Sequence, residues 1–303
     1  MEEKVTKIAS QWPNTYTFTK AIAEALLREE GRGLPIGIFR PAIIISSANE
    51  PLVGWVDNIY GPMGFLTPVA LGLQRFLLGN GNLKTNMVPV DFTANALIAS
   101  AWDVFNQWKK EETMLIYNFV SIDAPTWNEY INKMISLNKL YPVKEIIWMP
   151  LLKIIRQKVL YKICIWIGHL LPAFLMDAVN ICMNRRPRMW KLYRKIHKYS
   201  DAIAPFLLKH LDYSHHNILT MWNRLSEKDH QLFKFQMKEI DWTKYLVNHY
   251  KGMRLYILKE DDGTLKINRI RYKRFYLIHH AFKTVFISAI LWIIWSILAK
   301  IFV

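Results

Sequence analysis

The chain changes its hydrophobic rhythm part-way along. Up to about residue 150, short apolar runs alternate with helical patterns; beyond it helical patterns continue alone until an uncharged run near the C-terminus. Residues 16–30 (YTFTKAIAEALLREE) are rich in Ala, Leu and Glu and predict a helix with Gly31 as its C-cap. The apolar run PIGIFRPAIII, residues 35–45, predicts a buried strand and, from Pro41, the loop that leaves it. Helix, glycine turn and strand together make half of a βαβ unit. Residues 49–82 are rich in Gly, Pro and Asn around an apolar island at 65–78, and are expected to form a substrate-side loop and helix. MVPVDFTANALIASAWDVF, residues 87–105, reads as a short strand entering a helix, with Asp91 near the helix start. Residues 115–121 predict another strand, and Thr126 with Glu129 predicts a capping box opening a further helix.

The second half divides by composition into a helical region over 151–259, a basic stem over 260–283 and an apolar tail over 284–303. Residues 284–299 carry no charge, and Lys300 can snorkel to a membrane surface. About twenty residues at about 1.5 Å per residue span a hydrocarbon core of about 30 Å, so the tail is expected to be a transmembrane helix. The stem preceding it, KINRIRYKRFYLIHHAFK, is densely basic, which by the positive-inside rule leaves the bulk of the protein on the cytosolic side. Such a tail anchor suits the endoplasmic reticulum or the peroxisome equally. Residues 163–183 are apolar too, but His169, Pro172, Asp177 and Asn180 interrupt them. A buried or monotopic helix pair is expected there in preference to a second crossing. No internal repeat or low-complexity tract is visible, and residues 1–20 have no apolar core of the kind a signal peptide needs.

Forty Lys and Arg against 24 Asp and Glu leave a net charge of +16. That balance bears on partners and not on fold. The cations gather late, at Arg185, Arg186, Arg188, Lys191, Arg194, Lys195 and Lys198. No nucleic-acid-binding motif surrounds them, so a membrane face or a phosphorylated substrate is the expected partner and nucleic acid is not. The two cysteines, Cys164 and Cys182, lie in apolar sequence, fit a reducing compartment and are expected to be small buried hydrophobes. His210, His215, His216 and His230 have no common ligand spacing, and no metal is expected.

Tyr16 and Lys20 lie four apart at the start of the first helix, which stacks them on one face. A phenol is a weak acid at neutral pH, and an ammonium one turn away favours its ionised form. Such a pair can donate a proton to a carbonyl oxygen while a hydride from a nicotinamide reaches the carbon. Alone, Tyr-x-x-x-Lys also fits a solvated surface helix; its setting is more telling. The helix ends in glycine, runs into an apolar strand, and that strand ends in Arg40-Pro41. This order resembles the extended short-chain dehydrogenase/reductases, as does Val-Pro-Val-Asp at residues 88–91. WPNTYTFTK at 12–20, FRPAII at 39–44 and GWVDN at 54–58 are similar to fatty acyl-CoA reductases in particular. So are HLLPA at 169–173, LYRKIH at 192–197 and residues 233–245, and the likeness is strongest to insect-type members with an apolar tail.

The resemblance implies an α/β architecture: the C-terminal part of a Rossmann fold over residues 1–150, then the helical domain of that family over 151–259. It implies NADPH-dependent reduction of a long-chain acyl-CoA through an aldehyde to a primary alcohol, releasing CoA, as in wax, pheromone or ether-lipid synthesis. Tyr16 would be the general acid, Lys20 its partner and a ribose ligand, and Arg40, Pro41, Ala42, Ile43 and Ile44 would border the nicotinamide. The family's glycine-rich phosphate loop should lie well over a hundred residues before Tyr16. Gly31-x-Gly33 and Gly79-x-Gly81 do not complete that motif, and Ser10 is too near Tyr16 to act as its usual Ser/Thr partner. The chain is therefore expected to be N-terminally truncated and weakly active or inactive alone. A non-catalytic membrane-tethered product and a membrane-bound steroid dehydrogenase are the competing readings, and protein partners are not predicted.

Overall fold

The computed structural model describes residue 12 and residues 14–108 and 114–302. The extended run does not end at Pro41. Strand β1 (Gly37–Pro41) lies parallel to β5 (Leu115–Phe119), with Gly37 opposite Leu115 and Pro41 opposite Phe119. The Ala42 N–H still donates to the Phe119 carbonyl at 2.8 Å, and the next N–H, of Ile43, donates to Asn86 at 3.0 Å. From there β2 (Ile43–Ile45) runs parallel to β4 (Met87–Pro89). The expected loop is thus a second strand, and the change of partner falls beside a proline that has no N–H to lose. A third parallel pair joins β3 (Phe76–Leu78) to β6 (Lys153–Ile155). Among the described residues β1 pairs with β5 alone.

The first helix, α1 (Thr15–Glu30), is opened by Asn14, whose side chain accepts the Thr17 N–H at 2.9 Å. It closes at Gly31, where a Cβ would come within 2.4 Å of the Leu27 carbonyl oxygen. The apolar island becomes α2 (Pro62–Ala70) and β3. Helix α3 (Val90–Gln107) follows β4 and turns Phe92, Ala96, Ala99 and Val104 onto the sheet. On β5 and α3 rests α8 (His216–Arg224), contributing Ile218 and Met221 to the same core. A second core joins α2, α4 (Trp127–Leu140) and α10 (Trp242–Gly252) through Phe65, Leu66, Trp127, Tyr130, Tyr245 and Tyr250, so residues from both sides of position 150 share one interior. The capping box of α4 is present: the Glu129 N–H donates to Thr126 Oγ1 at 3.3 Å and the Thr126 N–H to Glu129 Oε2 at 2.7 Å. Overall the molecule is mixed α/β, with helix predominating.

Residues 163–183 fall in one continuous rod: α5 (Lys158–Ile165), a π-helical turn (Trp166–Leu170) and α6 (Leu171–Cys182). Helix α7 (Met189–Leu208) returns beside it. The rod packs along one face only, which leaves Cys182 exposed and Cys164 half-buried instead of enclosed in a core. The last helix, α11 (Leu265–Phe302), is 38 residues long and includes most of the basic stem and the apolar tail as far as Phe302. Its base is fastened to the body: Asn268 donates to the Pro142 carbonyl at 3.0 Å and Arg271 to that of Lys144 at 2.8 Å. Beneath them the buried Arg254 donates to Asp262 at 2.9 Å, and Glu260 accepts the Lys144 N–H. Two helical segments, Lys158–Cys182 and Asp262–Ser296, are long and apolar enough to cross a membrane.

Candidate functional site

Tyr16 and Lys20 project from the first turns of α1, with the Lys20 ammonium 5.9 Å from the centre of the Tyr16 ring. Tyr16 is 61 % exposed, and no side chain of α1 is buried. Among the described residues neither the phenol nor the ammonium makes a hydrogen bond, and both side chains are exposed. Glu24 stands one turn further along the same face. It receives two parallel bonds from Arg40, Nε to Oε1 at 2.8 Å and Nη2 to Oε2. The hydrogen bond from Arg40 holds the Glu24 carboxyl below the usual carboxylate range and raises the guanidinium in return. Arg40 is thus the tie between β1 and the helix that carries the pair. Ala42 and Ile43 have their N–H groups committed to the sheet, and Ile44 is 44 % exposed. Among the described residues no hydrogen bond links Tyr16 or Lys20 to residues 41–44.

The chain leaving β2 is held by Asp91 through bonds that span more than forty residues of sequence. Asp91 accepts the N–H groups of Ala48 at 2.9 Å, Asn49 at 2.8 Å and Glu50 at 3.1 Å. Its place at the start of α3 was legible; its three-point hold on that loop was not. Below the loop lies a fully enclosed polar set. The Ser46 hydroxyl is 2.8 Å from His249 Nδ1, the Tyr130 hydroxyl 3.0 Å from His249 Nε2, and Tyr245 donates to the Ser46 carbonyl at 2.6 Å. Burial drives His249 down to about 3 and both phenols upward. A neutral imidazole has one donor and one acceptor, which two hydroxyls can match in either tautomer. Close backbone contact completes this joint: a Cβ on Gly252 would come within 1.8 Å of the Gly54 carbonyl oxygen. A second buried tie lies across the sheet, where Asp103 accepts from Arg224 Nε at 2.7 Å and from the Tyr117 hydroxyl at 2.7 Å.

The four histidines considered as ligands are dispersed. His230 lies flat on Trp222 with ring centres 4.2 Å apart, and His210 faces Asp212 at 3.3 Å. The described residues contain no cluster of three or more His, Cys, Asp or Glu that could hold a metal.

Known proteins give this geometry a lineage. Two family models, both described as male sterility protein, match residues 1–97 and residues 168–260, the first of them an NAD-binding family. The chain is 36% identical over 293 residues to fatty acyl-CoA reductase wat of Drosophila melanogaster, covering 96% of this chain and 56% of the relative. It is 29% identical over 286 residues to fatty acyl-CoA reductase 1 of Xenopus laevis, covering 94% of this chain and 55% of the relative. Against fatty acyl-CoA reductase 2 of Homo sapiens the identity is 27% over 300 residues, covering 98% and 57%. The chain therefore spans little more than half the length of these curated relatives. The NAD-binding match supports a nicotinamide cofactor, and the likeness to the reductases runs through the helical half as well: the chain belongs to the fatty acyl-CoA reductase family.

Proposed function

We propose that this chain carries the proton-donating side of an NADPH-dependent reduction of long-chain fatty acyl-CoA to a primary alcohol, with CoA released. The observation that carries the reading is the stacking of Tyr16 and Lys20 on an exposed helix face, in a chain of this family. Two reduced nicotinamides would supply one hydride each, the first giving the aldehyde with loss of CoA and the second the alcohol. The Tyr16 phenol donates its proton to the carbonyl oxygen as the carbon is reduced. The residues fit such a cofactor in one respect: the exposed Lys20 carries three N–H donors that suit ribose hydroxyls. Arg40 borders the nicotinamide and also holds Glu24, and so the pitch of α1. Residues 41–44 border the cofactor through their carbonyls and side chains. Residues 284–303 anchor the protein in a cytosol-facing endoplasmic reticulum or peroxisomal membrane, with the NADPH side in the cytosol.

The test is alcohol formation from a long-chain acyl-CoA and NADPH by the membrane-bound protein at its native length, since this chain alone is expected to be weakly active or inactive. Tyr16→Phe is expected to lower turnover by at least about a hundredfold, the scale of a lost general acid. Acyl-CoA and NADPH should still bind. Turnover within tenfold of the parent would remove Tyr16 from the role of acid.

A further inference from the structure

The rod at residues 158–182 is two-faced. Tyr161, His169, Ala173 and Asp177 are buried against the body, four or eight residues apart. That spacing overshoots the turn of about 3.6 residues, so the stripe would wind away around a regular α-helix. The wider π-helical turn at Trp166–Leu170 takes up part of the drift and keeps one face inward. The inward face is pinned by polar bonds. The Arg75 N–H donates to His169 Nε2 at 3.0 Å, and His169 Nδ1 lies 3.0 Å from His197 Nε2. Asp177 accepts the N–H groups of Arg188 at 2.9 Å, Met189 at 3.0 Å and Trp190 at 2.8 Å.

The outward face is apolar along its length. Ile163, Trp166, Ile167, Leu171, Phe174 and Leu175 are all at least half exposed. Lys158 and Lys162 flank it at one end, and Arg185 and Arg186 at the other. Beyond that end, Arg186, Arg188, Lys191 and Lys195 line a shallow cleft of about 320 Å³. From position 178 to position 200 the chain carries no acidic residue to answer these cations.

From this we propose that the rod lies in the plane of a membrane surface, its apolar face sunk among the lipids and its basic end on anionic headgroups. Two observations select a bilayer over a protein partner. The first is charge: a long apolar strip bounded by cations that meet no carboxylate among the described residues matches hydrocarbon beneath anionic phosphates. The second is continuity with α11. His169 binds the N–H of Arg75, the Arg75 guanidinium lies 5.8 Å from the Trp148 ring centre, and Trp148 Nε1 donates to His279 of α11 at 3.1 Å. Phe282 also meets Trp148 edge-on at 6.5 Å. The helix that carries the uncharged tail is thus linked to the middle of the rod through Arg75 and Trp148. In this respect the inference rests on the reading of that tail as an anchor. The rod itself does not cross: Asp177 and the N–H groups of Arg188 to Trp190 are bound to each other, and crossing would draw them and the neighbouring cations into hydrocarbon.

The test uses the whole chain in vesicles, with Cys164→Ala and Cys182→Ala and one polarity-sensitive label at a time. A label at Phe174→Cys should be several-fold more strongly quenched by a lipid-borne quencher when phosphatidylserine is mixed with phosphatidylcholine than in phosphatidylcholine alone. The set Arg186→Glu, Arg188→Glu, Lys191→Glu and Lys195→Glu should abolish that difference. Labels at Lys158→Cys and Asn184→Cys should both react with an impermeant reagent from the side of the body. A Phe174→Cys label that stays in water in both vesicles overturns the proposal. So does reaction of the two end labels from opposite sides. A C-terminal tag read by protease protection reports the anchor separately: its exposure on the body side defeats the anchor, while the label at position 174 still decides the surface.

Discussion

Arg40, at the end of its strand, and Glu24, on the helix that carries Tyr16 and Lys20, form a two-pronged ion pair. Because α1 buries none of its side chains, its orientation relative to the sheet depends on few contacts. Fork-to-fork geometry fixes direction as well as distance, so this pair sets where the phenol and ammonium point.

Separating the pair should therefore affect turnover more than stability. Both side chains are partly solvated, at 39% and 26% exposure, so a double-mutant cycle of Arg40→Ala and Glu24→Ala should give a coupling of about 1 kcal/mol in stability. Alcohol formation by Arg40→Ala is expected to fall by about tenfold or more, the scale of a misplaced catalytic group. Arg40→Lys, which keeps the charge and loses the fork, should recover only part of it. Parent-like turnover from Arg40→Ala would show that α1 is oriented by something else.

The enclosed His249 makes stability depend on pH in a stated direction. Its folded value is about 3, while an unfolded histidine titrates near 6.5. The unfolded chain therefore binds the extra proton between those values. The contribution is fully present above about pH 6.5 and is lost progressively as pH falls towards 3, by up to about 1.4 kcal/mol per unit. Thermal unfolding in detergent should show the parent losing more stability between pH 7 and pH 5 than His249→Gln, which starts lower at pH 7. Equal slopes would mean that His249 is not held neutral.

What the sequence disclosed and what it hid divide along a physical line. The Thr126–Glu129 capping box, the α1 helix with its Gly31 cap and the strand at 115–119 are set by contacts within a few residues, and the sequence displays them. At Pro41 the local steric rule suggested a loop, but strands far along the chain supplied new partners and kept the backbone extended. The Ser46–His249 bond joins residues 203 apart, and nothing near either one announces it. The inward stripe of the rod was hidden because a π-helical turn alters the period by which an amphipathic helix is recognised. Of the candidate site, the Tyr16–Lys20 spacing was legible, whereas the partnership of Arg40 with Glu24 needed the fold.

Two glycines with the same backbone sign should respond differently to a methyl group. Gly33 has a φ of +80° and nothing within 4 Å of a Cβ, so Gly33→Ala should cost about 1 kcal/mol of backbone strain. Gly54, with a φ of +77°, would also drive a Cβ to 2.4 Å from the Asn248 carbonyl oxygen. Gly252, across the same contact, has no room either, and backbone cannot yield as a side chain can. Gly54→Ala and Gly252→Ala should each cost about 3 kcal/mol or more in thermal unfolding. If all three variants unfold alike, α10 does not rest on the Gly54 loop as described.

The tie between Asp103 and Arg224 should behave as a buried ion pair whose removal is worse from one side than from both. Asp103 has no solvent exposure, and its oxygens are met by Arg224 and the Tyr117 hydroxyl. Tyr117→Phe removes one neutral donor and should cost about 1.5 kcal/mol. Arg224→Met leaves a carboxylate in the core with only a phenol to meet it. Since the Arg224 side chain is 33% exposed, water can reach part of the gap, and the loss should lie near the lower end of the range for broken buried pairs, about 3 kcal/mol. Adding Asp103→Leu to Arg224→Met removes the stranded charge and should recover part of that loss. Unfolding of the three variants, measured side by side, decides the matter: a double variant less stable than Arg224→Met alone would mean that Asp103 supports the sheet through its phenol partner and not through the arginine.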